Sequence, residues 1–92
     1  MRGLFMIETI WNNIIKHAGE EFETASGLPF TYIIRDDHTI IPIRNEEHKW
    51  PLSKNLFEKA LRYSDYSSQE FNNKIIGSSY VRGILEDDRI MD

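Results

Sequence analysis

Two runs rich in β-branched and aromatic residues, Phe30-Thr31-Tyr32-Ile33-Ile34-Arg35 and Thr39-Ile40-Ile41-Pro42-Ile43-Arg44, are separated only by Asp36-Asp37-His38. Side chains of this kind suit a pleated, half-buried surface, so both runs read as strands. The polar interval is long enough for a turn and too short for a crossover helix, which makes the pair an antiparallel hairpin with acidic residues at its tip. Pro42 has no N–H to give to a neighbour, and this predicts that its strand lies at a sheet edge or turns that residue outward. Phe22 and Thr24 supply a brief earlier strand before the turn cluster Ala25-Ser26-Gly27-Leu28-Pro29. After the polar break Asn45-Glu46-Glu47-His48, Lys49-Trp50-Pro51-Leu52 offers a short fourth extended piece.

The flanks carry helical periodicity instead. Leu4, Ile7, Ile10, Trp11, Ile14, Ile15 and Ala18 recur at three- and four-residue steps, and Gly19 stands where a left-handed cap ends the helix. Ser53 is an N-cap for a second helix over residues 54–62, with Leu52 and Phe57 placed to close as a hydrophobic staple. Residues 63–70 read as an exposed connection anchored by Tyr63 and Tyr66. Ser78 or Ser79 is expected to cap a third helix from Tyr80 to about Glu86, with Val81, Ile84 and Leu85 facing inward. Gly83 inside that helix costs about 1 kcal/mol relative to alanine, which implies a close approach by another element or an irregular helix.

Strands grouped in the middle of the chain select an α+β fold: an N-terminal helix, a three- to four-stranded antiparallel sheet and two C-terminal helices packed on one face. With 92 residues the chain is a single domain, residues 1–92, because neither half could build a core alone.

The absence of cysteine removes disulfides, thiol nucleophiles and thiolate metal sites, and makes the cytoplasm the expected compartment. Glu8 and Asn12-Asn13 interrupt the apolar start before an export signal or membrane span could develop, so no membrane partner is expected. A net charge of −4 argues against binding nucleic acid over the whole surface. Only residues 31–62, with six basic and five acidic groups, are slightly positive.

Each candidate chemical constellation has a bland counterpart. Asp36, Asp37 and His38 could present metal ligands from one turn, but adjacent residues rarely aim at one ion, and His17 and His48 lack a partner at zinc-binding spacing. A solvated turn accounts for all three. Asp87-Asp88 followed by Arg89 reads as a solvated helix end with Arg89 balancing charge. The serines sit in no nucleophile elbow and the glycines match no phosphate-binding loop. No metal and no cofactor are expected, and a small enzyme using Asp36, His38 and Asp88 is the third-ranked reading.

Recognition residues remain. Arg35, Arg44, Lys49, Lys54, Lys59 and Arg62 lie in the strand and second-helix region, with Tyr32 and Trp50 as aromatic groups that could stack on bases. Tyr80 and Arg82, near the start of the last helix, could face a partner. The leading expectation is a non-catalytic module that binds a protein partner or a second copy of itself, and the alternative is weak DNA or RNA binding through Arg35, Arg44, Lys49, Trp50, Lys54 and Lys59.

Phe22-Glu23-Thr24 with Gly27-Leu28-Pro29-Phe30-Thr31-Tyr32, Leu52-Ser53-Lys54 with Phe57-Glu58-Lys59-Ala60-Leu61, and Ser78-Ser79-Tyr80-Val81 with Ile84-Leu85 and Asp88-Arg89-Ile90 carry a resemblance. Over residues 20–90 the chain resembles a family of small uncharacterised bacterial domains of structural-genomics type. The resemblance implies a non-catalytic accessory module, in some cases beside or within DNA-processing or mobile-element proteins. It transfers no site residues.

Overall fold

The computed structural model describes residues 2–91, with side chains from Met6 onward; Leu4 of the expected apolar face lies outside the described side chains. Helix α1 (Arg2–Lys16) buries Ile7, Ile10, Trp11 and Ile14 along one stripe. Gly19 ends the turn after it at φ +90°, a left-handed value that glycine adopts without a Cβ penalty.

Five antiparallel strands follow: β1 (Phe22–Glu23), β2 (Pro29–Asp36), β3 (Thr39–Arg44), β4 (Glu47–His48) and β5 (Leu52–Ser53), in the order β1-β2-β3-β4 with β5 also paired to β3. The expected hairpin is present, with Thr31 opposite Ile43 and Ile33 opposite Ile41. Arg35 is an irregularity between the Ile34–Ile40 and Asp36–Thr39 pairs. Glu47–His48, expected to be a break, is a strand instead, because Asn45 and Glu46 both take positive φ (54° and 64°) and form a two-residue hairpin turn.

Pro42 departs from expectation. Its strand is paired on both sides, and its ring is fully buried. Lys49 N–H donates to the Pro42 carbonyl at 2.7 Å. In an extended strand a residue's N and O point to the same side, so the Pro42 nitrogen faces the interval between β4 and β5 and removes no bond from the β2–β3 ladder.

Helix α2 (Lys54–Ala60) starts as expected, with Ser53 Oγ accepting from Leu56 N–H at 3.1 Å and with Leu52 and Phe57 both fully buried. It ends earlier than residue 62. The connection after it contains a further helix, α3 (Gln69–Lys74), capped by Ser68, and Phe71 of that helix packs against Tyr63 and Tyr66 at ring distances of 5.5 and 5.2 Å. Helix α4 (Ser78–Leu85) begins two residues before Tyr80, without a side-chain cap. Gly77 at its N-cap is left-handed, and Ser78 Oγ donates instead to Asn72 Oδ1 at 3.0 Å. Helix α5 (Asp88–Met91) replaces the expected solvated end and buries Ile90. The helices after the sheet therefore number four among the described residues, where two are expected.

The core lies between the helices and one face of the sheet. Phe30 and Tyr32 of β2, Ile40 of β3 and Leu52 of β5 point into it and meet α1, α2 and α4. Tyr32 Oη donates to the Ile14 carbonyl at 2.6 Å, so this hydroxyl loses no hydrogen bond on burial, and burial pushes its ionisation well above the usual range. Gly83 is the close approach: a Cβ there would lie 2.0 Å from the Glu23 carbonyl oxygen, so α4 and β1 touch backbone to backbone. None of the described helices is long and apolar enough to cross a membrane.

Candidate functional site

The residues 49–51 between β4 and β5 are held by the Lys49 bond to Pro42, and Pro51 favours an extended residue before it. Trp50 is thereby held at the rim of the core while 47% exposed. Its ring stands edge-on to Tyr80 at 6.2 Å and 87°, and Tyr80 stands edge-on to Phe30 at 4.9 Å and 84°. Offset and perpendicular ring pairs align the positive edge of one ring with the negative face of the next. The outermost ring of this three-ring ladder is open to solvent. Gly77 makes room for it: a Cβ there would come within 2.7 Å of Trp50 Nε1 and 3.1 Å of Leu52 Cδ2. Directly before Gly77, Ile76 is 68% exposed, the highest value for a large apolar side chain among the described residues. Trp50 and Tyr80 thus form an aromatic patch at the start of α4, with the exposed Ile76 next to Gly77 in the chain. In the sequence Phe71, Ile75 and Ile76 make one ambiguous apolar stretch, and of these only Ile76 is exposed.

Of the other expected recognition residues, only Lys49 adjoins this patch, and its Nζ lies 3.3 Å from Glu47. Arg82 is two residues from Tyr80, about 200° around the helix axis. It therefore faces away and pairs with Glu86 at 3.1 Å. Lys54 pairs with Glu8 at 2.8 Å, and Lys59 Nζ approaches the Lys74 carbonyl at 3.5 Å. Arg35 lies at the turn end of β2 and Arg44 at the opposite end of β3, and neither makes an ion pair among the described residues. The basic side chains are distributed over several faces of the molecule, and Lys49, Lys54, Arg82 and Arg89 are paired with carboxylates.

Asp36, His38 and Asp88, the residues of the enzyme reading, do not gather. Asp36 Oδ1 accepts from His38 N–H at 2.8 Å, and this backbone bond holds the Asp36 carboxyl below the usual range. It is a turn brace. A cleft of about 430 Å³ is lined by Glu8, His38, Lys54 and Glu58 among others, but neither Asp36 nor Asp88 reaches it. Asp88 belongs to α5, where Asn13 Nδ2 donates to the Ile90 carbonyl at 2.9 Å, away from the Glu8 end of α1. Among the described residues no three His, Asp or Glu side chains stand together as a metal site.

Arg89 has a different role from simple charge balance. Its guanidinium lies 3.9 Å from the Phe22 ring centroid and donates to Asp87, to Glu20 at 2.9 Å and to the Glu21 carbonyl at 2.8 Å. The Arg89 bond is the main cause that holds the Asp87 carboxyl low, whereas for Glu20 the bond to His17 leads and Arg89 follows. The cluster ties α5 to β1 and to the turn after α1. Its donors and acceptors are engaged with one another, which makes it a structural joint.

No protein-family model matches the chain, and neither does any curated protein or solved structure.

Proposed function

We propose that this chain is a non-catalytic interaction module that grips a protein partner through Trp50, with Tyr80 and Ile76 beside it. The observation that carries this reading is the half-exposed Trp50 ring held at the end of a packed aromatic ladder. A rigid aromatic side chain loses little conformational entropy on binding and offers a large apolar area, which is why tryptophan and tyrosine dominate the energetic centres of protein interfaces. The separation of Asp36 and His38 from Asp88, and the engagement of Glu20 and Asp87 with Arg89, favour recognition over chemistry. Paired and scattered basic groups make a protein surface a better fit than nucleic acid, which needs a continuous positive track.

The test compares the wild-type chain with Trp50→Ala as baits in lysate with and without nuclease treatment. Proteins retained by the first and lost by the second are the expected result, with thermal stability of the variant close to that of the parent. Identical capture by both chains, or capture that disappears with nuclease, contradicts it.

A further inference from the structure

The tip of the β2–β3 hairpin is tied to two helices, and a cleft lies between the three. Trp11 Nε1 of α1 donates to the Asp37 carbonyl at 2.8 Å, and the Lys54 N–H at the start of α2 donates to the His38 carbonyl at 2.7 Å. Lys54 Nζ then reaches across to Glu8 of α1 at 2.8 Å. These bonds fix the walls against one another, so the space of about 430 Å³ between them is preformed. Sites for small molecules ordinarily fall in this range of volume. Ile7 is buried and gives the cleft an apolar wall.

The charges of the cleft are unevenly engaged. The Lys54 side chain is only 20% exposed, and it gives one of its N–H donors to Glu8, whose side chain is 64% exposed. Glu58 lines the same cleft one turn further along α2, on the face that carries Lys54, at a Cβ separation of about 6 Å. The two do not pair with each other, and neither Glu58 nor His38 makes an ion pair among the described residues. An ammonium with donors to spare therefore stands beside a carboxylate that has no cation. We propose that this cleft binds a small zwitterion of the α-amino acid class, its carboxylate on Lys54 and its ammonium on Glu58. A lone anion would meet repulsion from Glu8 and Glu58, and a lone cation would meet it from Lys54. A molecule with both charges a few bonds apart sets each against its opposite. Trp50 lines no part of the cleft, so this reading and the protein-partner reading stand or fall separately.

Amide shifts of the full chain, followed while glycine, serine or glutamine is added to about 20 mM, test this directly. The expected result is saturable movement of the His38, Lys54, Asn55 and Glu58 signals with at least one of the three, at a Kd of about 1 mM. The N-acetyl and carboxamide derivatives of that amino acid each lack one charge, and each is expected to bind about tenfold more weakly to the unaltered chain. Glu58→Gln is expected to weaken binding by about the same factor, with the thermal transition of the parent, because Glu58 has no ion pair to lose. Trp50→Ala is expected to bind like the parent. Absence of saturable movement with all three amino acids overturns the proposal. Equal binding of either derivative overturns it as well, since a site indifferent to one of the charges is not a zwitterion site, and so does unchanged binding by Glu58→Gln.

Discussion

The two ends of α4 meet the sheet in opposite ways. Near its C-terminal end, Gly83 lies against the β1 backbone so closely that no side chain fits, and the Arg89 guanidinium braces the adjoining corner with four hydrogen bonds to Asp87, Glu20 and Glu21. At its N-terminal end, Gly77 also makes room, but for a ring that stays half in water. At the first contact the two backbones already touch, and no Cβ fits at Gly83. The second leaves apolar area unspent, and a chain this small gains little stability from exposing a tryptophan. That contrast is why the Trp50 end is read as a recognition surface and the Gly83 end as scaffold.

Substitutions at the two glycines test the contrast most directly. Gly83→Ala forces a methyl group into the Glu23 carbonyl, and a loss of about 3 kcal/mol is expected from denaturant unfolding, the upper end of what overpacking ordinarily costs. An effect under about 1 kcal/mol would mean that β1 shifts freely and that the scaffold end is no tighter than the other. Arg89→Ala comes next, at about 2 kcal/mol, because charge-assisted hydrogen bonds and the stacking on Phe22 are lost together. It also alters the pH response. Glu20 and Asp87 have folded-state ionisation below their ordinary values of 4.5 and 3.8, so their contribution is present above those values and is lost as pH falls through the lowered ones. The wild-type chain is expected to lose stability below about pH 4.5 more steeply than Arg89→Ala does, as measured by melting temperature across an acid series. Smallest is Gly77→Ala, expected at about 1 kcal/mol from the positive φ alone, but with a shift in Trp50 emission as the new methyl group displaces the indole. A large stability loss with unchanged emission would show that Gly77 supports the fold and does not position the ring.

The strands and helices that repeat an unambiguous period were legible from residues alone. The hairpin of β2 and β3, the Ser53 cap and the Leu52–Phe57 staple each depend on neighbours within a few positions. Pro42 was not legible, because the side of β3 that lacks a donor is decided by where the chain breaks between β4 and β5. Helices α3 and α5 were missed because six and four residues carry too little periodicity to stand out, and each is held by one buried side chain, Phe71 or Ile90, that sequence does not place. Gly83 was recognisable as a site of close approach, though not its neighbour. The candidate site was half visible: Trp50 and Tyr80 stood out as aromatic residues, but their meeting joins residues thirty positions apart through Gly77, and the separation of Tyr80 from Arg82 appears only once the helix face is known.

The Asn13 bond to the Ile90 carbonyl spans 77 positions along the chain, whereas the sheet is assembled almost entirely from consecutive hairpins. Closing the longer loop is entropically dearer and has only a four-residue segment to anchor. The meander is therefore expected to form early and α5 to dock late. Amide exchange in α5 is accordingly expected to outpace that of β3, and equal protection of the two would show that the Arg89 bonds hold α5 as firmly as the sheet.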